Sequence, residues 1–205
     1  MASLNEIKKS QLELGPQIGR GGFGDVFARV AQHYFQVNGD QSEALARIAA
    51  KNHANGARNP YAHVQKDLGY EFCRFESKKN PFIEAPLKRT DCSMITDGAA
   101  ALVLTDEETA RSAEKAIRIR ASNLVSDRLP LVDRNILEFE GPREAWRRTL
   151  ADAGLQLNDL DFIETHDCFT IAELMEYEAM GLTEKGRGAD AILEGWTAPG
   201  GKLPV

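Results

Sequence analysis

His166 and Cys168 stand two residues apart in Glu164-Thr165-His166-Asp167-Cys168-Phe169, where a short strand-like stretch gives way to a helical pattern. In open α/β sheets ligands gather at that kind of edge. An imidazole N–H placed there can donate, directly or through a water, to a carbonyl oxygen that is gaining negative charge. The alternative is a histidine whose polar atoms are satisfied structurally at a strand end. Cys168 is a rival nucleophile, because a helix N-terminus can lower a thiol pKa and an imidazole is near. If the chain turns helical at Asp167, however, residues 166 and 168 diverge and share no face, and a free cysteine then serves as a small buried hydrophobe. Cys92 reads the same way. Beside it, Ser93 offers a hydroxyl that can satisfy an amide of a bound ligand or cap a turn. Lys88 and Arg89 can pair with phosphates, although such a charge run is equally a solvated face.

A second chemical pattern lies near the start of the chain. Gly19, Gly21, Gly22 and Gly24 crowd into Ile18-Gly19-Arg20-Gly21-Gly22-Phe23-Gly24-Asp25-Val26-Phe27, which fits the GxGxxGxV loop that covers a nucleotide. Glycines there let backbone N–H groups approach phosphates. Lys51, in Ile48-Ala49-Ala50-Lys51, imitates the phosphate-pairing lysine of a kinase strand, but its surroundings read as helix. The HRD and DFG motifs that a kinase needs do not appear downstream. A kinase-like nucleotide binder therefore remains a remote alternative, tested by stabilisation with ATP, and residues 1–27 read more simply as a glycine-rich leader of unclear origin.

The elements that position these residues fall into two patterns. From Ala28 to Gly56, apolar residues recur at three and four positions; Asp40 with Glu43 suggests a capping box, and Asn55-Gly56 a stop. Residues 57–91 hold charged clusters and Pro60, Pro81 and Pro86, which predicts short helices and irregular loop. Beyond them the pattern alternates. Ala99–Leu104 suits a buried central strand, and Thr105 with Glu108 a capping box for a helix through about residue 115. Ile117 and Ile119 predict a strand with one wet face. Gly141-Pro142 opens a helix with Ala145, Trp146, Thr149 and Leu150 on one face and Gly154 as its end. Asp161–Thr165 is the next predicted strand. Asp167–Met180 is a predicted helix with Phe169, Ala172, Met175 and Ala179 on one side, acids on the other and Gly181 as cap. This order predicts an α/β layered fold.

Composition narrows the function. The 205 residues carry 25 Lys+Arg against 31 Asp+Glu, a formal charge of −6, with 42% hydrophobic residues. A general positive field for nucleic acid or an anionic membrane is therefore not expected. No signal peptide and no run of eighteen apolar residues occurs. Three cysteines without CxxC spacing and four histidines without a finger pattern predict no structural metal and a reducing compartment. The expectation is a cytoplasmic protein, with peroxisome and mitochondrion left open. The ending Gly200-Gly201-Lys202-Leu203-Pro204-Val205 reads as the inside of a loop, so the chain is expected to be truncated there.

Two segments resemble the thiolase superfamily, in the branch typified by sterol carrier protein X and bacterial acetyl-CoA acetyltransferases. One runs from Arg89-Thr90-Asp91-Cys92-Ser93 through Asp97-Gly98 to Leu104, and the other is Glu164-Thr165-His166-Asp167-Cys168-Phe169-Thr170-Ile171-Ala172-Glu173-Leu174. Asp40–Ala46 and Asn59-Pro60-Tyr61-Ala62 are similar to that branch as well. The resemblance implies a partial thiolase-like layered α/β/α fold. In it, residues 28–91 would be a mainly helical loop domain covering coenzyme A, and residues 92–205 the last strand of the N-terminal half with the start of the C-terminal half. It implies an acyl-CoA acyltransferase that condenses acyl units or cleaves 3-oxoacyl-CoA, with coenzyme A thioester as substrate and no metal or redox cofactor. His166 would supply oxyanion stabilisation. Ser93, Phe169, Lys88 and Arg89 would contact coenzyme A or its acyl and pantetheine pocket. The family's nucleophilic cysteine lies upstream of the loop domain, and its GHP histidine and second catalytic cysteine beyond Val205. Homo-oligomerisation is implied for the parent enzyme. The alternative is a non-catalytic or aldolase-type subunit working in a complex with a small OB-fold partner.

Overall fold

The computed structural model describes residues 22–127 and 135–205. Gly19 and Gly21, with most of the predicted leader, lie outside the described residues.

The periodicity at 28–56 becomes two helices. Helix α1 (Phe23–Asn38) buries Ala28, Ala31 and Tyr34 at three-residue spacing. It ends where Gly39 takes φ +84° and its N–H bonds the Phe35 carbonyl at 2.8 Å, a left-handed exit that glycine adopts without a Cβ penalty. Helix α2 (Ser42–Gly56) buries Ala44, Leu45, Ala46, Ile48, Ala49 and Lys51. The expected Asp40–Glu43 box is replaced by a shorter device. Asp40 accepts the Ser42 N–H at 2.8 Å, and Glu43 instead pairs with Arg47 one turn on. Short α3 (Gly69–Arg74) packs on α2. An antiparallel hairpin follows, β1 (Phe82–Glu84) and β2 (Leu87–Lys88).

The predicted buried strand Ala99–Leu104 is not formed. That segment makes no strand, and Leu102, Val103 and Leu104 are 88%, 96% and 73% exposed. Ile117 and Ile119 are likewise exposed and outside any strand. A strand is stable only through neighbours that take its N–H and C=O groups, and among the described residues none pairs with these segments. Asp161–Thr165 fares little better, although Ile163 is buried and its N–H bonds the Pro204 carbonyl at 2.9 Å. The expected helix at 105–115 shrinks to α4 (Glu107–Ala110), capped by Asp106 and not by Thr105: the Asp106 carboxylate accepts the Thr109 N–H at 2.8 Å.

Helix α5 (Glu140–Ala153) follows the prediction, with half-buried Ala145, Trp146, Thr149 and Leu150 and a left-handed Gly154 end. Helix α6 (Thr170–Ala179) starts three residues later than expected and is the centre of the fold, touched by α1, α2, α5 and α7 (Gly188–Leu193). Its acids are not on a wet face. Glu173 is 1% exposed, and Glu176 and Glu178 are half-buried. Glu178 accepts hydrogen bonds from the Tyr34 hydroxyl and, at 2.9 Å, from the Gly188 N–H. Close approach of α7 depends on Gly188, where a Cβ would lie 2.4 Å from the Leu174 carbonyl oxygen.

Candidate functional site

The site grows from the hairpin. Asp91, 1% exposed, accepts the Lys88 N–H at 2.7 Å and pairs with the Lys88 ammonium at 3.1 Å. Its other oxygen accepts the Thr170 hydroxyl at 3.0 Å. A buried aspartate with this many donors is a fixed anchor, and it fastens residues 88–92 to the start of α6. Cys92 then bridges Phe169 in antiparallel fashion, and the Ser93 N–H donates to the Cys168 carbonyl at 3.0 Å. Segments 89–94 and 164–170, some 70 residues apart in sequence, thus lie side by side.

Each residue marked in the sequence has a definite place there. His166 is exposed, in the extended turn before α6, and Ser93 is exposed opposite that turn. Phe169 is buried and stacks on Phe27 with ring centroids 4.4 Å apart. Lys88 is buried, with its ammonium on Asp91 and over the Phe82 ring, so its charge is spent inside the protein. Arg89 is exposed beside it. The structure therefore pairs Ser93 with the backbone of the turn that carries His166, leaves His166 and Arg89 exposed, and draws Lys88 and Phe169 into the packing. Gly24 lies within α1 and Lys51 within α2, so the described residues do not build the strand-borne lysine of a nucleotide-covering loop.

Two clefts meet at this turn. One, of about 270 Å³, is walled by His53, His63, Cys92, Ser93 and Asp167 among others. The second, of about 540 Å³, runs along Lys51, Asn55, Phe162, Glu164, Thr197 and Val205. Asn52, Gly56 and Asp167 line both. Between them sits a buried polar cluster that sequence reasoning missed. The Lys51 ammonium donates to Glu173 and, at 2.6 Å, to the Val205 main-chain oxygen. Asn52 donates to Asp167 and, at 2.7 Å, to Glu173. The Tyr177 hydroxyl donates to the same Glu173 and lies 3.4 Å from the Thr197 hydroxyl. The signal available in the sequence was a Lys-Asn pair closing an apolar helical stripe, together with a Glu and a Tyr one turn apart on a second.

One ammonium faces two carboxylates, and the electrostatics follow from that imbalance. Burial, reinforced by Glu173, pushes the Asp167 carboxyl up to about 6. Burial likewise raises Glu176 to about 7, against the hydrogen bond it accepts from Thr165. The cysteines are all held away from the thiolate form. Burial raises Cys73 and Cys92 to about 11, and Cys168 is raised by burial and by Glu176. Cys168 sits at the end of the extended turn and not inside the helix, so α6 gives it no activation comparable to that of reactive thiols. Among the described residues, no group of three or more His, Cys, Asp or Glu could hold a metal ion, and no helix is long and apolar enough to cross a membrane.

Residues 125–205 match the family model described as thiolase C-terminal domain-like. The chain is 32% identical over 185 residues to an acetyl-CoA acetyltransferase of Methanothermobacter thermautotrophicus, covering 89% of this chain and 47% of that protein. It is 33% identical to sterol carrier protein 2 of Oryctolagus cuniculus, covering 88% and 34%, and 33% identical to the benzoylsuccinyl-CoA thiolase subunit BbsB of Thauera aromatica, covering 87% and 46%. A solved structure titled Ltp2-ChsH2(DUF35) aldolase aligns with TM-score 0.78 at 25% identity, over 88% of this chain and 48% of that one. The chain thus spans between about a third and a half of the length of these relatives.

Proposed function

The chain carries a thiolase C-terminal-like domain at residues 125–205, and from that premise we propose that it is the coenzyme A-binding and oxyanion-stabilising part of a thiolase-type acyl-CoA acyltransferase. What supports this reading is the junction of the two family-like segments: Ser93 lines the smaller cleft and its N–H bonds the carbonyl of Cys168, two residues beyond His166, whose neighbours Thr165 and Asp167 line the clefts. His166 is exposed before a buried, central helix. Its imidazole donates to the thioester oxygen as the carbonyl becomes tetrahedral, a role whose removal costs about 10²–10³ in turnover. Ser93 satisfies the pantetheine amides, and Arg89 meets a coenzyme A phosphate. Lys88 serves them indirectly, holding the hairpin through Asp91, while Phe169 backs the turn from the core. Coenzyme A thioester is substrate, with no metal or redox cofactor. The raised thiols speak against Cys73, Cys92 and Cys168 as the acyl-accepting cysteine.

The test is thiolysis of acetoacetyl-CoA, followed by loss of enolate absorbance, by wild type and His166→Ala, each supplied with the thiolase segments that carry the nucleophilic cysteine and the GHP histidine. A fall of about 10²–10³ in the variant supports the donor role, and a variant as active as wild type overturns it. Binding without turnover by the chain alone assigns the nucleophile to residues outside these 205. A second reading is favoured by the aldolase structure that aligns over 88% of the chain: the same turn polarises a carbonyl for carbon–carbon cleavage within a complex. Isolation of a stable heteromer without thiolase activity would support that reading.

A further inference from the structure

We propose that Asn52 is a positioning residue for the His166 turn, its amide clamping residues 166–168 to helix α2 through Asp167. The inference rests on the reading of His166 as an oxyanion donor. Residues 166–168 precede α6 and lack the repeating helical bonds that hold α6 itself. On one side the turn is held by the Ser93 N–H on the Cys168 carbonyl. On the other it is held by Asn52, whose side chain reaches Asp167 across 115 residues of sequence.

The chemistry of the clamp is specific to an amide. A primary amide nitrogen carries two hydrogens, and here both go to carboxylates, one to Asp167 and one to Glu173. The reversed orientation would set a carbonyl oxygen against two anions, so the pair of acids fixes which end faces them. The Glu173 end is the more firmly anchored, because its carboxylate also accepts from Lys51 and Tyr177 and is 1% exposed. The Asp167 end belongs to the residue adjacent to His166. Without the amide, the Asp167 and Glu173 carboxylates would repel with no donor between them, and relief would come by moving the more exposed of the two outward. That displacement carries His166 with it. A donor off by about 1 Å loses much of its effect on a reaction.

Amide hydrogen exchange on the full chain tests this, with the Ser93 N–H as reporter of the turn and the Leu155 N–H, bonded to the Leu150 carbonyl at 3.0 Å, as distant control. In Asn52→Leu, exchange at Ser93 should accelerate about tenfold or more, the loss expected for one hydrogen bond to a charged acceptor, while Leu155 is unchanged. Asp167→Ala cuts the other end and should give the same pattern. The double variant should be no faster than either single one, because both remove one interaction. Unchanged exchange at Ser93, parallel acceleration at Leu155, multiplying effects in the double variant, or failure of both single variants to fold would each overturn the clamp. Titration of wild type with acetyl-CoA reads the underlying functional assignment separately: no binding there would refute the function and leave the exchange result standing.

Discussion

Replacing Lys51 by methionine removes the single cation of the buried cluster while keeping most of the side chain's volume. Lys51 and Glu173 are 6% and 1% exposed as side chains, so water does not replace the lost ammonium. Breaking a buried pair by removing one partner costs about 3–5 kcal/mol, because an uncompensated charge remains. Part of that is moderated here, since Glu173 still accepts from Asn52 and Tyr177, which places the expected loss near 3 kcal/mol. A domain of ordinary stability holds about 5–15 kcal/mol in all, so the variant should remain folded with a clearly lower urea midpoint and an unchanged slope. The control is Lys51→Met with Glu173→Gln, which removes the stranded charge and should recover at least about 1 kcal/mol relative to the single variant. A single variant within about 0.5 kcal/mol of wild type, or a double variant whose loss is the sum of the two, would refute the view that the buried Lys51–Glu173 pair stabilises the fold.

Three further outcomes follow from the same geometry. Gly188→Ala should destabilise by about 1–3 kcal/mol in urea unfolding, since its Cβ would meet the Leu174 carbonyl at 2.4 Å and α7 must move off α6; a neutral effect would contradict that contact. Asp167 and Glu176 are raised from ordinary values of 3.8 and 4.5 to about 6 and 7. The native state therefore holds more protons than the unfolded one between about pH 4 and 7. The stability these groups contribute is complete below about pH 4 and is lost as pH rises through 6 and 7, at most about 3 kcal/mol each. Urea midpoints that rise steadily from pH 5 to 8 would oppose this. Glu144, lowered to about 2 by Arg147 and Arg148, acts in the opposite sense but only at lower pH. Finally, exposed Leu102, Val103, Leu104, Ile117 and Ile119 should make the isolated chain self-associate, seen as earlier gel-filtration elution at higher concentration; a concentration-independent monomer would count against it.

The helices were legible because their signals are local. The three-residue spacing of Ala28, Ala31 and Tyr34 and the Gly154 exit of α5 depend on neighbours within one or two turns. Strands were not, since Ala99–Leu104 has the apolar run of a central strand but no partner among the described residues to pair with. The acids of α6 were misplaced for a related reason. A polar stripe on a helix ordinarily means water, and here it means Lys51, Asn52 and Tyr34 arriving from elements more than a hundred residues away. At the site, the motif residues were visible by type, while the buried cluster beneath them was visible only once α2 and α6 were side by side.

The most direct measurement is calorimetric titration of acetyl-CoA into wild type, Ser93→Ala and Arg89→Ala. If the junction of residues 89–94 with the His166 turn is a coenzyme A site, wild type binds saturably and both variants bind more weakly, by about three- to tenfold for loss of one polar contact. Absence of saturable binding to folded wild type, or affinity untouched by both substitutions, would contradict the assignment.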